Sequence, residues 1–152
     1  MTTIAYDGKF IAHDGRTTFR NIIMNDLTNK SFFNSDTNRL FFLAGDFCEG
    51  EKFSQLFEHG KEIYFDINVH GIMVDKDKNV YSVGYHKKDE RWYFWQLNIN
   101  GVPYTDGTGA DYALAALDLG QNAKQAVQAA IKRDFYSGGF IKIYDIQKAK
   151  FI

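Results

Sequence analysis

Thr3-Ile4-Ala5-Tyr6-Asp7-Gly8-Lys9-Phe10-Ile11-Ala12 (residues 3–12) opens the chain with two short β-prone runs around an Asp-Gly pair. A two-residue Asp-Gly loop between apolar runs is a strong hairpin signal. The spacing predicts strands over 3–6 and 9–12, so the first residues are held in a sheet instead of fraying. A hairpin also returns the next segment, Ala12-His13-Asp14-Gly15-Arg16-Thr17-Thr18, toward the chain's start.

Working outward, residues 19–38 carry little pattern. Arg39-Leu40-Phe41-Phe42-Leu43-Ala44-Gly45 reads as a buried strand, continuous, apolar and ended by glycine. Residues 49–59 place Phe53, Leu56 and Phe57 at helical spacing, with Gly60 as the stop. Alternating apolar positions in 62–69, 71–85 and 91–99, with the Asp-Lys-Asp-Lys-Asn turn between, predict strands. Residues 110–118 are Ala/Leu-rich and helical, ending at Gly120. Asn122 caps a second helix over 123–133, whose apolar positions are Ala123, Val127, Ala130 and Ile131. Phe140–Ile146 is a final strand. Strands flanked by a late pair of helices predict one α+β domain over 1–152, in a layered αββα arrangement.

Composition narrows the function classes. A chain of 152 residues with 18 Lys+Arg against 19 Asp+Glu has no electrostatic case for nucleic acid. No apolar run approaches the roughly 20 residues of a membrane helix. The N-terminus lacks a basic segment followed by an apolar one, and one cysteine, Cys48, cannot form an internal disulfide, so a cytoplasmic protein is expected. His13, His59, His70 and His86 show no metal-ligand spacing, and neither metal nor cofactor is expected.

Several residues suit nucleophilic chemistry. Thr is small, so the preceding Met1 is removable, exposing an α-amine on the residue that carries a hydroxyl. An α-amine with pKa about 7.7–8.0 is a serviceable base near neutral pH, and a hydroxyl beside it is an activated nucleophile. A lysine near such a hydroxyl favours the alkoxide, and Lys30 is available. Asp14 can orient a cation or the amine. Gly45, after the buried strand, can offer a backbone N–H to an oxyanion at close approach. Gly107-Thr108-Gly109 opens the first late helix, and Asp134-Phe135-Tyr136-Ser137-Gly138-Gly139 follows the second. Taken singly, each has an ordinary reading as cap, turn or surface residue.

In order and spacing these elements resemble the β-type subunits of the proteasome and the bacterial HslV peptidase, the N-terminal-nucleophile (Ntn) hydrolases with threonine. The resemblance runs through Thr2-Thr3-Ile4-Ala5, Ile11–Arg16, Lys30, Leu43-Ala44-Gly45, Gly107–Ala115 and Asp134–Gly139, about two-thirds of the chain, with sixteen residues from Asp14 to Lys30. It implies a four-layer αββα sandwich, Thr2 as nucleophile, and Lys30 and Asp14 setting the electrostatics. It implies Thr108, Asp134 and Ser137 around the terminal amine, and Gly45 as oxyanion donor. It places Thr18, Thr28, Phe32, Leu43 and Phe47 near the pocket for the side chain preceding the cleaved bond, which would then prefer apolar residues. The implied substrate is a peptide or unfolded protein, and the implied assembly a homo-oligomer with an ATPase unfoldase.

The chain departs from that pattern. Thr108 stands where serine is usual, and the chain is shorter. After the helix near 49–59 it passes straight into strands where a second long helix is normal, so one helical layer is reduced. That reduction argues against a stacked double ring and an unfoldase partner. Retention of Met1 would remove the free amine. Three readings follow: a threonine peptidase, a non-catalytic homologue kept for assembly or binding, and an Ntn amidase acting on a small amide.

Overall fold

A computed structural model gives the fold, and describes residues 2–45, 49–57, 68–99 and 101–152. Strands β1 (Thr3–Tyr6) and β2 (Phe10–Asp14) form the opening hairpin. Its tight loop is shifted by one residue from the sequence expectation. Asp7 closes the hairpin, its N–H donating to the Phe10 carbonyl at 3.2 Å, and Gly8-Lys9 forms the two-residue loop with Gly8 at φ 94°. The Asp7 carboxylate takes the N–H groups of Lys9 and Phe10, and its other oxygen takes the Ala123 N–H at 2.8 Å. One turn residue thus joins the hairpin to the start of a late helix.

The remaining strands are β3 (Thr17–Phe19), β4 (Ile22–Asn25), β5 (Ser31–Asn34), β6 (Arg39–Gly45), β7 (Val69–Val74), β8 (Val80–His86), β9 (Arg91–Gln96), β10 (Tyr104–Gly107), β11 (Ile141–Asp145) and β12 (Lys150–Phe151). They make two five-stranded antiparallel sheets, ordered β10-β1-β2-β11-β12 and β5-β6-β7-β8-β9, and a separate β3-β4 hairpin. Helices are α1 (Gly50–Leu56), α2 (Ala110–Asp118) and α3 (Ala123–Ile131). The chain is therefore an α+β protein.

Alternation along the strands builds the layers. Ile4, Tyr6 and Ile11 point from the first sheet toward Leu40, Phe42 and Ala44 of the second, forming the inter-sheet core. Ala5 and Ala12 point the other way, beneath Ala113, Ala116, Ala123, Ala126, Val127 and Ala130 of α2 and α3. Small residues on both sides let the helix pair sit close on the sheet. On the far face of the second sheet, Phe41 and Leu43 pack with Phe53 and Phe57. The strand over 39–45 is thus buried on both faces, as its unbroken apolar run predicts.

Both late helices form where expected. Asn122 and Gln125 make a reciprocal capping box, and Gly120 at φ 81° follows the end of α2. In α1 the expected apolar face is only partly right, since Phe53 is buried but Leu56 is 40% exposed. Residues 58–59 of the expected helix, its Gly60 stop and 62–67 of the next expected strand lie outside the described residues, as do His59 and Cys48. No helix among the described residues is long and apolar enough to cross a membrane.

Phe42 sits centrally between the sheets, ring to ring with Tyr144 at 5.7 Å and His13 at 6.1 Å. We expect Phe42→Ala to cost about 3–5 kcal/mol in urea unfolding. Phe33→Ala, at a side chain 61% exposed, should stay within about 0.5 kcal/mol of wild type.

Candidate active site

Hairpin register brings the first described residues to Asp14. Ile4 faces His13, so Thr3 reaches the end of β2. Asp14 is fully buried, and its carboxylate accepts five hydrogen bonds. Oδ1 takes the Thr2 hydroxyl at 2.6 Å, the Thr3 N–H at 2.9 Å and the Lys30 ammonium at 2.9 Å. Oδ2 takes the Arg16 N–H at 3.1 Å and the Gly138 N–H at 2.9 Å. A buried carboxylate is tolerable only when so paired and bonded. Lys30 is itself 3% exposed, not a surface lysine. Burial pushes its pKa down, and the Asp14 carboxylate pulls it part of the way back.

A second carboxylate, that of Asp134, reaches Thr2 through Thr108. Asp134 Oδ2 accepts from the Thr108 hydroxyl and the Ser137 hydroxyl, both at 2.6 Å. The Ser137 and Thr3 hydroxyls share a hydrogen bond of 2.6 Å, and Thr108 Oγ1 lies 3.4 Å from the Thr2 carbonyl oxygen. Gly107, at φ 94°, passes so close to the Thr2 carbonyl that a Cβ there would overlap it. Thr2, Asp14, Lys30, Thr108, Asp134 and Ser137 are therefore one hydrogen-bonded cluster, drawn from five separated segments.

Thr2 and Lys30 open onto a cavity of about 420 Å³ whose wall also includes Thr18, Arg20, Leu43 and Gly45. Gly45 adopts φ 103°, and a Cβ would collide with the Asn68 carbonyl, so both backbone conformation and space call for glycine there. Of the five residues expected at the pocket, Thr18 and Leu43 line it. Thr28 sits behind it, accepting from the Thr17 hydroxyl at 2.7 Å. Phe32 turns away. It pairs with Phe41 across β5 and β6 and follows that residue to the outer face, packing on Gly50. Phe47 lies outside the described residues. Among the described residues, no three His, Cys, Asp or Glu side chains group to hold a metal.

Sequence reasoning gave no part to Arg16 or His13, and both brace the site. Arg16 forks onto Asp26 with Nε at 2.8 Å and Nη2 at 3.2 Å, and its Nη1 donates to the Phe135 carbonyl at 3.0 Å. It thereby ties the β3-β4 hairpin to the segment carrying Asp134 and Ser137. The available signal was its place in His-Asp-Gly-Arg, two residues after Asp14. His13 is fully buried between the sheets and donates from Nδ1 to the Asp14 carbonyl at 2.9 Å, while Nε2 has no partner. Period-two alternation from Ile11 places it on that core-facing side.

Burial lowers the His13 pKa from 6.5 to about 4. The unfolded chain then takes up the proton first. Stability from a neutral His13 is complete above about pH 6.5 and is lost as pH falls toward 4, about 3 kcal/mol in all. Urea unfolding at pH 7 and pH 4.5 should show the fall, and His13→Gln should make it smaller by roughly that amount. An equal fall in both proteins would remove His13 as the cause.

The chain matches no model of a known protein family and no curated protein.

Proposed function

We propose that this chain is a threonine-type peptidase of the Ntn-hydrolase kind, an αββα sandwich with one helical layer reduced, working from Thr2 after Met1 is removed. One observation carries the proposal. A single buried oxygen, Asp14 Oδ1, holds both the Thr2 hydroxyl at 2.6 Å and the Lys30 ammonium at 2.9 Å, beside a cavity that Gly45 also lines. An inert strand end has no need of a desolvated lysine–aspartate pair around its hydroxyl.

In the proposed reaction, removal of Met1 frees the Thr2 amine. That amine takes the proton from Thr2 Oγ1 as the oxygen attacks the peptide carbonyl carbon. Lys30 stabilises the developing negative charge on the oxygen, and Asp14 keeps Lys30 charged and in place. The Gly45 N–H steadies the oxyanion. The C–N bond breaks as the leaving amine accepts the proton, leaving an acyl ester on Thr2. Water, deprotonated by the same amine, hydrolyses the ester and restores the hydroxyl. Asp134, with Thr108 and Ser137, positions the amine end.

A homo-oligomer and a cytoplasmic setting belong to this reading. Ile22, Met24 and Leu27 of the exposed hairpin region offer apolar surface for self-association. An unfoldase partner is not part of the proposal, since α1 alone represents the outer helical layer among the described residues.

Intact mass should show loss of one methionine; a retained Met1 favours a non-catalytic binding or assembly role instead. Thr2→Ala should abolish labelling by a peptide epoxyketone and lower turnover on the order of 10³-fold or more. Equal labelling of wild type and variant ends the catalytic reading. Lys30→Ala leaves Asp14 short of a donor and should lower the melting temperature. Below that temperature, where circular dichroism shows the folded chain, it should lower turnover by roughly 10²-fold or more. An unchanged rate removes Lys30 from the mechanism.

A further inference from the structure

The cavity wall is electrically one-sided. Among the described residues it carries two cations, Lys30 and Arg20, and no carboxylate. Lys30 is committed to Asp14. The neighbouring Arg16 is committed to Asp26. Arg20 has no carboxylate partner among the described residues.

Arg20 is nonetheless held in place. It occupies the two-residue tip between β3 and β4 at φ 53°, and its guanidinium lies 5.5 Å from the ring centroid of Phe19, which also lines the cavity. The tip is anchored where Asn21 accepts from the Tyr136 hydroxyl at 3.3 Å, and the base by the Arg16–Asp26 fork. A guanidinium stacked on an aromatic ring keeps its N–H fork free for a carboxylate. Beside it, the Thr18 hydroxyl has no hydrogen-bond partner. A cavity of about 420 Å³ falls within the size range of ligand sites, roughly 300–1,000 Å³.

We infer that Arg20 makes this cavity a subsite for an acidic side chain, so that peptides with Glu or Asp beside the scissile bond are the preferred substrates. The inference rests on the peptidase reading and replaces the apolar preference that the resemblance implies. Arg20 is a specificity-determining residue here and takes no part in bond making. Because it is exposed, the preference is electrostatically screened and shrinks with salt.

The test separates binding from chemistry by using the Thr2→Ala chain. Fluorescein-labelled tetrapeptides differing only in Glu, Gln or Lys at one position are titrated by anisotropy. We expect the Glu peptide to bind about five- to tenfold tighter at low ionic strength and the ratio to approach one in about 0.5 M salt. Arg20→Gln should bring the ratio to about one, Arg20→Lys should keep part of it, and Arg20→Glu should reverse it toward a Lys peptide. A common melting temperature shows that the variants fold. Equal binding of Glu and Gln peptides, binding of neither, or a preference that survives Arg20→Gln overturns the inference. A preference that depends on Arg20, with no turnover by the Met1-free wild type, leaves the subsite standing and ends the peptidase reading.

Discussion

The buried carboxylate of Asp14 is the constraint around which this molecule is arranged. Its five donors come from the chain's start, the segment after β2, Lys30, and the turn at Gly138. Withdrawing any one donor leaves a buried charged group short of a partner, which is costly. The carboxylate therefore does more than touch Thr2. It fixes where the first strand starts, how the Lys30 loop lies on the sheet, and how the segment after α3 closes over the hairpin. His13 supports it from behind through the Asp14 main-chain carbonyl. A phenylalanine would fill that space but leave the carbonyl without this donor, which explains a neutral histidine deep between two sheets.

How much of this could be read in advance depended on whether the local pattern matched the final environment. Strand β6 was legible because both its faces are buried, and α3 because Asn122 and Gln125 write its cap into the sequence. The β3-β4 hairpin was not. Phe19, Ile22 and Met24 face solvent on both sides of a two-stranded ribbon, so no alternation marks it, and Arg20 takes a left-handed turn conformation that glycine or asparagine usually signals. Strand β10 was missed because it is short and ends at the Gly107 kink, whose purpose appears only once Thr2 lies against it. The site residues were ordinary one by one. Their order along the chain, and the resemblance built on it, pointed to a cluster. Phe32 escaped that reasoning because cross-strand register, not linear position, decides which face a side chain joins.

The helical layers show a similar dependence. On one side, alanines on both sheet and helices bring α2 and α3 down onto β1 and β2, and this closeness carries Gly109 to the Thr3 and Ser137 hydroxyls, where a Cβ would not fit. On the other side, a short helix meets aromatic rings instead, with Phe53 stacked on Trp92 at 5.2 Å and Phe57 against Phe41 at 5.8 Å. Aromatic side chains bury much surface per residue, so the seven residues of α1 contribute large contacts to that face. Aromatic packing on one side and compact alanine packing on the other are thus separate solutions, and the candidate site depends on the second.

Charge allocation then links the scaffold to recognition. Among the described residues three cations lie near Thr2, and the fold uses two of them to hold itself together: Lys30 compensates Asp14, and Arg16 bridges Asp26 and the Phe135 carbonyl. Had those two lacked carboxylates, the cavity would be strongly basic and any anion would be drawn into it without discrimination. Had Arg20 been paired as well, the described part of the wall would offer a substrate only hydroxyls, an amide and apolar carbon. With Arg20 the one cation left over among the described residues, placed at a braced turn and stacked on a ring, the attraction acts at one position and favours a carboxylate presented there. Selectivity in this arrangement comes from how completely the other charges are satisfied.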